Sequence, residues 1–137
     1  MSGGLTAASL SAVVLLGTSA GVHLGGVAAL NPSLRALDAS AYVAVKQSAD
    51  RCYPVFMRPL TLAGLVALLA QTVLGALQGQ TDLAVLGGLG LTAAVVAVLA
   101  VLRGDLPINK RMSGWTQGDP PLDWQTWRTR WERYLCR

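Results

Sequence analysis

Polar and apolar positions divide this chain into three long uncharged stretches, with the charges gathered between and after them. Leu5–Leu30 holds no charged residue, and His23 is its one strongly polar interior side chain. Pro59–Gln78 and Leu83–Leu102 are equally free of charge. A helix needs about 20 mainly apolar residues to cross the hydrocarbon core of a bilayer, and each stretch meets that length. A soluble helix this long would show a polar stripe dense in lysine and glutamate. The pattern therefore predicts an all-α integral membrane protein. Three transmembrane helices are expected near residues 5–30, 57–79 and 82–102, plus cytoplasmic amphipathic helices, in a four-helix-bundle-like arrangement. The 137 residues read as a single membrane domain. It has a cytoplasmic helical loop over 31–56, and a cytoplasmic loop and tryptophan-rich helix over 103–137.

Local signals set the expected boundaries. The first helix should stop at Asn31-Pro32, because the residue before a proline is pushed out of the helical region. Ser33–Asp50 reads as one or two short amphipathic helices, capped by Asp38 or Ser40 and bounded by Pro54. Arg58 opens the second span. The GQTD sequence of Gly79–Asp82 makes a tight outer turn. Arg103–Trp115 reads as a polar loop, and Pro120–Asp123 as a helix start with Asp123 as N-cap and Leu122 stapled onto Trp127. Trp124, Trp127, Trp131 and Tyr134 then share one helical face. Two readings of that face stand. It lies at headgroup depth with its arginines toward anionic lipid, or its rings pack on the preceding loop and close a cytoplasm-facing pocket.

Composition agrees: 53% of residues are hydrophobic and 13% charged, against about 25% charged in soluble domains. The formal charge of +4 does not point to nucleic acid, because topology explains where the cations sit. Arg35, Lys46, Arg51 and Arg58 lie between the first two spans; Arg103, Lys110, Arg111, Arg128, Arg130, Arg133 and Arg137 follow the third. Cytoplasmic loops carry the excess of lysine and arginine. This predicts a multi-pass cell-membrane protein with its N-terminus outside and its C-terminus cytoplasmic. The first span lacks a charged n-region and a clear cleavage site, so it reads as retained rather than as a signal peptide. Cys52 and Cys136 both fall on the reducing side, where a structural disulfide is not expected. No metal site is expected, since the chain has no CxxC and one histidine.

Candidate chemistry lies at the cytoplasmic ends of the spans. Ser9, Ser19 and His23 fall near one helical face, and Thr61, Gly64, Gln71, Gly75 and Gln78 form a comparable stripe on the second span. The two stripes line a polar cavity, or they make interhelical hydrogen bonds between closely packed helices. An ionisable residue in a membrane helix should face protein or water. His23 is a candidate general base, since imidazole exchanges a proton near neutral pH; the alternative role is axial ligand to a haem. Arg58, Arg103, Asp105, Lys110 and Arg111 gather at the membrane edge. Arg103 and Asp105 are placed to pair with each other, or the cluster is placed to hold a phenolate or enolate-like anion. Gly87, Gly88 and Gly90 would let the third span approach a partner helix, within a homo-oligomer or a membrane complex.

Several of these features resemble one family. They are the first span ending in Asn31-Pro32 with Leu34 after it, the Gln47 helix, the span ending at Arg103, and LPINKRMSGW over Leu106–Trp115. Asp123-Trp124 and Arg130-Trp131 complete the pattern. It resembles the anthrone-oxygenase-like family of small multi-span membrane proteins, over nearly the whole chain. Members commonly carry a histidine after the second pair, where this chain has Leu135-Cys136, and continue into a fourth span. The sequence thus reads as a short member or as a piece of a longer one. The resemblance implies an oxygenase acting on a phenolic or quinone-like membrane-soluble molecule, without a metal or flavin cofactor. The catalytic residues would be His23, Arg58 and Arg103. Asn31, Gln71, Asn109, Lys110 and Trp115 would bind a small aromatic substrate. Two further readings stand beside it: a non-catalytic subunit or anchor of a larger complex, and a haem- or quinone-binding membrane protein.

Overall fold

The structure, a computed structural model, describes residues 2–135. Helix α1 runs Gly3–Gly25, α2 Asn31–Arg35, α3 Ala39–Leu77, α4 Thr81–Ala100, α5 Leu106–Met112 and α6 Trp124–Leu135. Two π-helical turns, Gly26–Leu30 and Val101–Asp105, fuse α1 to α2 and α4 to α5. Among the described residues, three continuous helices are long and apolar enough to cross a membrane: Gly3–Arg35, Ala39–Leu77 and Thr81–Met112. At 1.5 Å per residue they are roughly 50–60 Å long, against a hydrocarbon core of about 30 Å. Each is therefore longer than a bilayer crossing needs, and its charged residues lie outside the uncharged stretches.

The expected stop at Asn31-Pro32 is not made, and Arg103–Trp115 is not a loop. In both places the helix widens just before a proline. The Asn31 N–H bonds to the Gly26 carbonyl and the Leu106 N–H to the Val101 carbonyl, each five residues back. Each widened turn ends two residues before its proline, Pro32 or Pro107. A proline ring strikes the carbonyl four residues upstream and removes one donor. One π-turn ahead of it relieves both problems without ending the helix. Pro54 does not bound a helix either, since α3 runs through Pro54 and Pro59. A proline inside a helix costs about 3 kcal/mol, offset here by tertiary packing on either side.

The described residues form two compact units. The first comprises residues 2–20 and 57–99, which are three helical segments. Ala12, Ala67 and Leu68 are its buried centre, with Leu15, Leu16, Leu91 and Ala94 packed around them. Glycines bring α3 and α4 together. A Cβ on Gly75 would lie 2.8 Å from the Ala84 nitrogen, and one on Gly87 would lie 2.7 Å from Thr72 Oγ1. The turn between them is as expected. Gly79 takes φ 69°, the Gln80 N–H bonds to the Gly75 carbonyl at 2.8 Å, and the Gly79 N–H bonds to the Ala76 carbonyl at 3.2 Å. This is the left-handed helix ending that glycine permits. The unit's outer surface is apolar, with Leu10, Val13, Leu62, Val66, Leu86 and Leu89 all exposed. A surface of that size and character calls for lipid.

The second unit comprises residues 21–56 and 100–135. Leu34, Tyr42, Val43, Ile108, Met112 and Trp131 form its core, and Leu37, Trp115, Trp124 and Trp127 pack against it. The tryptophan face of α6 is therefore turned inward onto α3 and α5 rather than left free; the Tyr134 side chain lies outside the described residues. Asp38 caps α3, its carboxylate accepting from the Ala41 N–H at 2.8 Å. Asp123 begins α6 through its carbonyl, while its carboxylate accepts the Trp127 indole N–H at 2.8 Å. Leu122 is fully exposed and staples nothing. The Asp123–Trp127 bond has taken over the task of fixing the entry to α6.

Candidate functional site

The chemistry-bearing side chains concentrate in the second unit. Lys46, on the inner face of α3, is 1% exposed. Its ammonium donates to both Asp50 oxygens, one at 2.6 Å, and to Asn109 Oδ1 at 2.8 Å. The Asn109 amide donates in turn to Asp105 Oδ2 at 3.0 Å. Lys46 also sits 4.4 Å from the centre of the Trp131 ring. A buried ammonium is tolerable only when its donors are met in this way. The placement follows from helical spacing: Lys46 and Asp50 are one turn apart, as are Asp105 and Asn109.

These groups lie beyond the charge-free stretches. Burial raises the Asp105 pKa above the ordinary carboxylate range, against the Lys46 charge and the Trp131 and Asn109 N–H groups, which lower it. Burial lowers the Lys46 pKa, with the Asp50 carboxylate opposing it. Asp105 does not pair with Arg103 as the sequence suggested; the helix turns the two to different faces. Among the described residues, the Tyr42 hydroxyl and both polar atoms of the Asn31 amide are buried with no hydrogen-bond partner.

His23 belongs to this unit too. Its ring meets that of Tyr53 edge-on, with centroids 6.2 Å apart and planes at 88°. The Tyr53 pKa is raised by burial first and by the Asp105 charge second. That places an imidazole beside a phenol that holds its proton.

The opposite face of α5 makes a groove of about 460 Å³ with α6. Arg103, Pro107, Lys110 and Arg111 line one side, and Trp127 and Arg130 the other. The Arg111 guanidinium lies 4.3 Å and the Arg130 guanidinium 5.3 Å from the Trp127 ring centre. Among the described residues no carboxylate makes an ion pair with any of these four cations.

The sequence-predicted residues therefore separate. His23, Asn31, Arg103, Asn109, Lys110 and Trp115 fall in the second unit, while Arg58 and Gln71 belong to the first. Arg58 is exposed. Gln71 is buried and donates to the Leu83 carbonyl at 3.2 Å, an interhelical bond between α3 and α4. Hydroxyls of the first unit bond back to their own helices, as Thr18 does to Val14 and Thr72 to Leu68, both at 2.8 Å. Trp115 packs on the core, and its carbonyl accepts from Gln47 at 2.8 Å. Sequence reasoning missed Tyr53, Lys46 and Asp50. The one-turn spacing of Lys46–Asp50 was readable within the helix expected over Ser33–Asp50, and that of Asp105–Asn109 only with the helix carried through Pro107.

Among the described residues, no group of three or more His, Cys, Asp and Glu could hold a metal ion. Comparison with protein-family models, with curated proteins and with solved structures finds no match to the chain.

Proposed function

We propose that the protein is a membrane enzyme that oxygenates a phenolic or quinone-like, membrane-soluble molecule at the cytoplasmic edge of the bilayer. The pairing of His23 with Tyr53 carries this reading. An imidazole can take a proton from an acidic C–H of the substrate. A phenol that stays protonated can donate to the oxyanion left behind. The Lys46–Asp50–Asn109–Asp105 network holds α3 and α5 in register, so that Tyr53 keeps its place beside His23. The resemblance to anthrone oxygenases supplies the rest of the reaction. The carbanion meets dioxygen, a CH2 group becomes a carbonyl, one oxygen atom is retained and the other leaves as water. The excess of cations on the segments after the first and third spans supports an N-terminus outside and a cytoplasmic second unit.

The test is oxygen uptake by the purified chain in lipid nanodiscs, given a hydroxylated anthrone. Uptake with one quinone formed per dioxygen is the expected result. A rate equal to that of empty nanodiscs would remove the enzymatic reading.

A further inference from the structure

The groove between α5 and α6 calls for a ligand of its own. Its four cations, Arg103, Lys110, Arg111 and Arg130, converge on one space with no acidic side chain among the lining residues. Topology alone asks only for positive charge on one side of a membrane; it does not ask for convergence. Here Arg103, Pro107, Lys110 and Arg111 share a helical face, and Arg111 and Arg130 are both held against the Trp127 ring. Stacked guanidinium groups lose less freedom on binding, and each offers a planar fork of donors suited to phosphate oxygens.

Charge and position narrow the ligand. A phosphodiester brings one negative charge to four cations, whereas a phosphomonoester brings close to two at neutral pH. Leu102 and Leu106, next to Arg103 in sequence and about one turn beyond it, are apolar and exposed. An occupant of the groove thus has an apolar path beside it, which a free phosphate ion would leave unused. We infer that this groove binds the phosphomonoester headgroup of a membrane lipid, with the lipid's hydrocarbon chain lying along the exposed Leu102 and Leu106. The inference does not depend on the oxygenase reading.

The test uses the full chain in phosphatidylcholine nanodiscs doped with phosphatidic acid, phosphatidylserine or neither. Bound lipid is counted by native mass spectrometry and affinity read from Trp fluorescence. Preferential retention of phosphatidic acid is expected. Arg111→Gln and Lys110→Gln should each weaken it about fivefold, and the double variant about twenty-five-fold. Both side chains are exposed, so neither change disturbs the core. Arg51→Gln, which removes an equal charge from an exposed position outside the groove, should leave the preference intact. Equal retention of phosphatidylserine, or an equal loss on Arg51→Gln, would mean general attraction to anionic membranes and overturn the inference. Inorganic phosphate binding as tightly as the lipid would identify a free-phosphate site and overturn the lipid assignment.

Discussion

Lys46 and Asn109, 63 positions apart in sequence, meet at 2.8 Å, and their bond ties the first half of α3 to α5. With Asp50 and Asp105 it makes the polar centre of the second unit. Lys46→Met keeps the length of the side chain but leaves a carboxylate and an amide oxygen without their donor. Breaking one partner of a buried ion pair costs about 3 kcal/mol or more. Unfolding in mixed micelles with rising dodecyl sulfate should show that loss, and Lys46→Met, Asp50→Leu should recover part of it. A single variant as stable as the parent would show that the network contributes nothing.

Glycine positions give a second, geometric prediction. The sequence grouped Gly87, Gly88 and Gly90 as one contact for a partner helix. The structure separates them: a Cβ at Gly87 would meet Thr72 Oγ1 at 2.7 Å and its backbone nitrogen at 3.0 Å, whereas at Gly88 the nearest atom lies at 3.9 Å. Gly87→Ala should lower stability by about 1–3 kcal/mol, the usual cost of overpacking. Gly88→Ala should be neutral in the same assay. Equal behaviour of the two would refute the packing of α3 on α4.

Asp105 sets a pH dependence whose sign follows from its raised pKa. Lys46, Asp50, Asn109 and Trp131 act on it, and it acts on Tyr53. The folded state binds the proton more tightly than the unfolded chain does. The stability gained is therefore complete below the ordinary carboxylate range and is lost as pH rises through the raised value. Lys46, with a lowered pKa, acts in the opposite sense on its own approach to the ordinary lysine range. Comparing the parent with Asp105→Asn isolates the acid. The melting temperature of the parent should fall relative to the variant as pH is raised from 4 toward neutrality. A constant difference across that range would exclude the titration.

Much of the fold was legible and some was hidden, for physical reasons. The three spans follow from uncharged length, and the Gly79 turn from glycine's access to positive φ. The helix ends near Pro32 and Pro107 did not, because a π-turn lets a helix pass a proline and carries no sequence mark of its own. That one device moved Arg103–Met112 from loop to helix and brought Asp105 and Asn109 onto a common face. His23 was legible as chemistry, being the single histidine. Its neighbour Tyr53 was not, since pairing two residues on separate helices requires the packing itself.

Orientation is checked through Cys52, which is exposed and free. In a Cys136→Ser background, an impermeant maleimide should label Cys52 in inside-out vesicles and not in intact cells. Labelling from the outside would invert the proposed topology and place the second unit on the other face of the membrane.

The most direct test of the account is turnover of a hydroxylated anthrone by His23→Gln and Tyr53→Phe, with folded protein quantified in the same membranes. A general base contributes about 10²–10⁴-fold. His23→Gln should lower kcat by about that factor with the yield of folded protein unchanged. Tyr53→Phe should lower kcat less and leave the pH profile of the remaining activity in place. Full activity of His23→Gln on a substrate that the parent turns over would contradict the assignment of the base.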